Sequence, residues 1–138
     1  MNTTTQIKIL IFTITLAFCN FQSVVYGQNR ATGDTESKAE KLFKNGEYTE
    51  AQKLYSNLVA LYPKEPVYNY RYGACILYSE PEKSQAIKYL NFAAATSESP
   101  VEAYYFAGLG YHYNYRFVEA LKYYTKFQSN AKNRDLKK

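Results

Sequence analysis

The sequence predicts an all-α protein, a solenoid of about three helix-turn-helix repeats. Three observations carry that prediction. A pattern of small and aromatic residues recurs about every 34 residues, the period at which paired helices stack. Within each repeat a glycine or alanine stands where two helices must approach closely, and an aromatic one turn later fills the space beside it. No segment shows a strand signal of comparable quality.

The best copy is Gly46-Glu47-Tyr48-Thr49-Glu50-Ala51, followed by Tyr55, Leu58 and Pro63. A second copy is Ala103-Tyr104-Tyr105-Phe106-Ala107-Gly108, then Tyr111, Phe117, Glu119-Ala120, Tyr124 and Phe127. Between them lies Tyr68-Asn69-Tyr70-Arg71-Tyr72-Gly73 with Ile76 and, after one extra residue, Ala86, Leu90 and Ala93. Gly73 and Gly108 fall in first helices; Ala51, Ala86 and Ala120 fall in second helices. This pattern resembles the tetratricopeptide repeat (TPR) family over roughly residues 34 to 129. The resemblance implies a right-handed solenoid with repeats at about 34–65, 66–98 and 99–130, together making a domain at 34–130.

The elements follow in order. Residues 1–27 read as a secretory signal peptide: Lys8 is the only charge before the apolar run 9–18, and Val25 and Gly27 are small residues suited to cleavage. Cleavage after Gly27 leaves Gln28 first. An uncleaved anchor is a second reading, although the apolar run is shorter than the roughly 20 residues of a membrane span. A third is lipidation at Cys19, since Leu16-Ala17-Phe18-Cys19 is close to a bacterial lipoprotein box, with Phe18 a poor fit before the cysteine. Every reading exports the chain. Residues 28–33 are polar and expected to be flexible.

The first repeat pairs helices at about 35–44 and 49–62. Gly46 suits the left-handed residue that ends a helix, and Thr49-Glu50-Ala51-Gln52 has capping-box spacing. Pro63 breaks the second helix, and Pro66 suits the first turn of the third. The second repeat spans about 66–78 and 82–96, with Glu80 extended because Pro81 follows it. Ser99-Pro100-Val101-Glu102 reads as a capping box opening a helix that reaches Tyr113. Asn114-Tyr115-Arg116 turns the chain, Val118 to about Asn130 is the last helix, and 131–138 is a solvated basic tail.

Composition limits the function. The chain has 138 residues, with 16 Tyr, 8 Phe and no Trp, so most aromatics must pack between helices while Tyr hydroxyls reach water. Seventeen Lys and Arg oppose 12 Asp and Glu, a modest basic excess. Export and the core spacing of the tyrosines argue against nucleic acid as a partner. Outside the leader only Cys75 remains, so no intramolecular disulfide is expected, and Cys75 reads as a small buried side chain. His112 is the sole histidine and has no neighbouring carboxylate in sequence. With no Gly-rich phosphate loop and no cluster of metal-ligand spacing, no catalytic residue, metal or cofactor is assigned; carboxylates such as Glu40 and Glu80 could pair only through the fold.

Binding is therefore the expected function. First helices of a stacked array line its inner surface, where a peptide or partner helix can lie. Carried onto this sequence, the groove positions of the TPR family are Val67, Tyr70, Ala74, Leu77 and Tyr78 in the second repeat. The third contributes Glu102, Tyr105, Leu109, His112 and Tyr113, and the first Glu36, Glu40, Phe43 and Lys44. Glu36 and Glu40 occupy places where a subgroup of the family clamps a C-terminal carboxylate, and would repel one. A tyrosine-rich surface suits an aromatic-anchored protein contact, with a glycan or small molecule as the alternative ligand.

Residues 86–127, especially Gly110-Tyr111-His112-Tyr113-Asn114-Tyr115-Arg116-Phe117-Val118-Glu119-Ala120, are also similar to the N-terminal repeat module of large Gram-negative envelope proteins. Those continue into a β-propeller and an OmpA-like peptidoglycan-binding domain, and some serve type IX secretion and gliding. The resemblance implies an envelope scaffold in the periplasm or at the periplasmic face of the outer membrane, and leaves open a fragment of such a protein. A repeat array usually closes with a polar-faced helix. Here Tyr124 and Phe127 are expected to stay partly uncovered and to dock on a partner or drive self-association. Membrane attachment is expected only through Cys19 or a partner.

Overall fold

The computed structural model describes residues 32–96 and 99–135, with side chains through Lys132. The chain divides into two compact units, Met1–Thr35 and Glu36–Lys138. The expected leader at 1–27, with Cys19, and the start at Gln28 lie outside the described residues. Of the first unit 32–35 are described, and they are helical. Thr32 and Gly33 thus depart from the flexible segment expected there, because polar residues without proline can continue a helix once it is nucleated.

The second unit is all-α. Its helices are α1 (36–44), α2 (Tyr48–Leu61), α3 (Pro66–Ser79), α4 (Ala86–Ala95), α5 (Val101–Tyr113) and α6 (Phe117–Asp135), with a short 3-10 turn at Lys83–Gln85 before α4. No strand occurs among the described residues, and no helix there is long and apolar enough to cross a membrane. Short connections fold each helix back on the one before it. Thus α2 packs on α3, α3 on α4, α4 on α5 and α5 on α6, while α3 also touches α5. That last contact sets first helices of successive pairs side by side, as a stacked helical array requires.

The small residues do what the spacing predicts. A Cβ at Gly73 would lie 2.6 Å from Leu90 Cγ, and one at Gly108 would lie 2.6 Å from Tyr124 Cδ1. Ala39 stands at the corresponding place in the first pair and packs in one cluster with Tyr55. Two cores result. One joins Ala39, Ala51, Tyr55, Leu58 and Cys75; the other joins Tyr70, Ile76, Leu77, Ala86, Leu90, Ala93, Ala94, Ala103 and Ala107. α3 feeds both, with Cys75 in one and Ile76 and Leu77 in the other. Cys75 is fully buried, and that burial pushes its thiol up to about 12.

Several helix ends match the sequence and three do not. Gly46 has φ +80°, Pro66 sits in the first turn of α3, and Glu80 is extended before Pro81. Lys83 Nζ then donates to the carbonyls of Leu77 and Glu80, covering the end of α3. The capping box expected at Thr49 is absent: α2 begins at Tyr48 after Glu47, without a side-chain cap. Gln52 is drawn instead to α3, where Nε2 donates to Glu80 and Oε1 accepts from Ser79. Ser99 does not cap α5 either, since its hydroxyl turns back to the carbonyl of Ala93 at the end of α4. In both cases polar groups outside the expected cap, the Ser79 hydroxyl and Glu80 carboxylate for Gln52 and the Ala93 carbonyl for Ser99, compete successfully for the side chain. α6 also runs to Asp135, so 131–135 are helical where the helix was expected to end at about Asn130 and a solvated basic tail to follow.

Candidate functional site

Phe106 organises the candidate surface. Its ring stacks on Tyr70 of α3 at 5.9 Å, and meets Phe43 of α1 at 6.2 Å and Tyr78 of α3 at 6.4 Å edge-on. Its neighbour Tyr105 lies 5.3 Å away. One side chain thereby gathers rings from α1, α3 and α5, the first helices of three pairs, in the offset and edge-to-face geometries that aromatic quadrupoles favour. Tyr48, at the start of α2, stacks on Tyr78 at 4.4 Å. Tyr105 continues the surface to Tyr124 and Phe127 of α6.

The groove residues read from the sequence separate into two layers. Tyr78, Tyr105 and Tyr113 are 41%, 39% and 43% exposed, and His112 is also exposed. Val67, Glu102 and Leu109 are half-buried. Tyr70, Ala74 and Leu77 are instead buried, so these three support the surface from behind. The reason is the central place of α3, which is covered by α2, α4 and α5. Tyr124 and Phe127, expected at an uncovered end, are half-buried and packed against Tyr105. Burial, and then the neighbouring Tyr105, Tyr48, Tyr113 and Tyr124, raise the pKa of the Tyr78 hydroxyl, so these phenols share one neighbourhood.

An ion-pair network closes the α1 end. Arg71 donates from Nη1 to Tyr55 Oη at 2.9 Å, from Nε to Tyr70 Oη at 3.0 Å, and from Nη2 to Glu40 at 3.1 Å. Its guanidinium also lies 5.8 Å from the centre of the Phe43 ring. Lys44 reaches the same Glu40 oxygen at 2.9 Å. Hydrogen bonds from Arg71 and then Lys44 hold Glu40 down to about 2. Burial opposes the Arg71 charge, but its bonds to Glu40, Tyr70 and Tyr55 outweigh that and raise its pKa. Glu40 is therefore matched by two cations and does not present the unopposed negative charge expected from sequence. Arg71 lies 31 residues away, and nothing local in the sequence pairs them.

His112 lies among aromatic rings. Its ring meets Phe117 and Tyr124 edge-on, at 5.5 and 6.4 Å. Glu40 is committed to Arg71, and Glu80 accepts from Gln52. Among the described residues no three His, Cys, Asp or Glu side chains converge to hold a metal. Phe106, Tyr48, Tyr55 and Arg71 were absent from the groove residues taken from the sequence. Phe106 was visible only as an aromatic of the repeat, with nothing to say that it faces three helices.

No family model and no curated protein matches this chain.

Proposed function

We propose that this chain is an exported, non-catalytic interaction module of a Gram-negative cell envelope. In this reading it is a three-repeat TPR domain that receives a peptide or helix of an envelope protein. The contact surface consists of Tyr78, Tyr105 and Tyr113, with His112 at its edge and Phe106 beneath. The observation that carries the reading is the convergence of α1, α3 and α5 on Phe106 beneath these half-exposed tyrosines. Rigid, amphipathic rings of this kind lose little entropy on contact and dominate protein interfaces. The apolar leader and the similarity of residues 110–120 to envelope repeat modules support the location.

The test is capture from solubilised envelope with the chain as bait, alongside Tyr78→Ala and Tyr105→Ala baits that keep the buried floor intact. A specific envelope protein held by the parent and released by about tenfold or more in either variant is expected, as for an interface hot spot. Retention unchanged in both variants would remove the groove from the function. Export is checked by sequencing the N-terminus of the cell-associated protein: a start at Gln28 is expected, whereas acyl modification at Cys19 would replace cleavage by lipid anchoring.

A further inference from the structure

A second surface lies at the turn between α5 and α6, away from the Phe106 cluster. Tyr115 and Val118 are each 82% exposed, Leu121 is 67% and Phe117 57% exposed, four large apolar or aromatic side chains within seven residues. Tyr115 is also the only non-glycine residue with positive φ among the described residues, at 58°. That left-handed conformation is unfavourable for a residue that carries a Cβ. The corresponding turn after α1 shares two backbone bonds with this one, from the residues equivalent to Tyr115 and Arg116, but uses Gly46. Neither backbone geometry nor packing accounts for a tyrosine at 115, whose ring touches little but Phe117, 6.3 Å away.

Charge points to the occupant. Residues 116–138 hold seven Lys or Arg against two acidic residues, an excess of five that equals the formal net charge of the whole chain, +5. Glu119, beside the patch, is paired with Arg116. The outward face of α6 continues from Val118 and Leu121 through Lys122, Thr125, Ser129 and Lys132, all exposed. The apolar residues thus form an exposed tip followed by a basic polar face. A second copy of this chain would bring the same positive charge to the contact. A protein groove that grips a helix needs apolar anchors continuing at i+7, and beyond Leu121 this face has none. A bilayer needs only the tip to enter, with cations held at the headgroups.

We infer that the α5–α6 turn is a membrane-contact site, in which Tyr115, Phe117, Val118 and Leu121 enter the interface of an anionic phospholipid bilayer and Lys122 and the following basic face of α6 hold its phosphates. The contact adjoins the tyrosine groove at His112, whose ring meets Phe117, but uses different exposed side chains, and it differs from attachment through Cys19 or a partner.

The chain contains no tryptophan, so a single substitution gives a position-specific probe. Full-length Phe117→Trp is compared with Phe92→Trp, an α4 position of 38% exposure, on phosphatidylglycerol and phosphatidylcholine vesicles carrying brominated acyl chains. Adsorption through another segment would not single out the Phe117→Trp probe, so the pair separates insertion of this turn from binding elsewhere. The Phe117→Trp emission is expected to shift blue and be quenched on the anionic vesicles alone, with Phe92→Trp unchanged. Val118→Asp with Leu121→Asp, both at exposed positions, should abolish that response while leaving the helical circular dichroism intact. Lys122→Glu should raise the lipid concentration needed by about tenfold. Absence of the shift on phosphatidylglycerol, an equal shift on phosphatidylcholine, or an equal shift at Phe92→Trp would each overturn the site. A shift given by polyglutamate and not by vesicles would also overturn it, in favour of an acidic protein.

Discussion

The middle and last helix pairs make the same close approach against different neighbours. Gly73 of α3 lies under Leu90, which is fully buried in α4 between α3 and α5. Gly108 of α5 lies under Tyr124 of α6, which is half-buried and packs on α5. Equivalent positions in a repeat are therefore unequal in consequence: a side chain enclosed on both sides cannot yield, whereas one on a less covered helix can swing away.

The sharpest way to break this comparison is to add one methyl group at each site. Gly73→Ala is expected to cost about 3 kcal/mol, because the new Cβ meets Leu90 with no room to relax. Gly108→Ala should cost only about 1 kcal/mol, because Tyr124 can rotate. Urea unfolding of the two variants decides it, and equal losses would show that α6 is held as rigidly as α4.

The ion pairs extend the contrast. Arg71 joins α3 to Glu40 and to the buried Tyr55 hydroxyl, while Arg116 pairs with Glu119 one turn along the exposed start of α6. Arg71→Met should cost about 2 kcal/mol by leaving Tyr55 without its partner; Glu119→Gln should leave the unfolding midpoint unchanged. The pair also predicts acid sensitivity. The folded Glu40 carboxyl titrates at about 2 against 4.5 for the free group, so the stability it contributes is complete above 4.5 and is lost as pH falls toward 2. Because this side chain is a third exposed, the effect should stay below about 1 kcal/mol. Comparing Glu40→Gln with the parent at pH 6 and pH 2.5 isolates it: the gap should shrink at the lower pH.

The turns give a contrast of sign rather than size. Gly46→Ala should destabilise by about 1 kcal/mol, since alanine resists positive φ. Tyr115→Gly should instead stabilise by about 0.5 kcal/mol, the relieved strain exceeding the added chain entropy. If thermal unfolding shows Tyr115→Gly to be destabilising, the exposed ring has a structural role and the case for an interfacial one weakens.

Much of the fold was legible because its signals are local. Gly46, Pro66 and Pro81 constrain their own backbone, and Gly73 and Gly108 mark close approaches whatever side chain fills them. Caps were less legible: Thr49 and Ser99 have suitable spacing, yet Gln52 and Ser99 found partners on neighbouring helices. The candidate surface was half legible. Tyr78, Tyr105, His112 and Tyr113 stand exposed, but Ala74 and Leu77 lie behind them because α3 is covered on several sides. Phe106 and Arg71 could not be singled out, since their importance comes largely from side chains on other helices, such as Tyr55 for Arg71 and Phe43 for Phe106.

The sequence by itself determined which segments are helices, where they reverse and where two of them must touch. Those properties depend on periodicity and on the permitted backbone angles of single residues. Only the tertiary structure decided which neighbour covers each helix face, that Glu40 is neutralised by Arg71, and that a strained, exposed Tyr115 stands beside a basic helix. Such facts depend on contacts between distant segments, whose geometry no local pattern encodes.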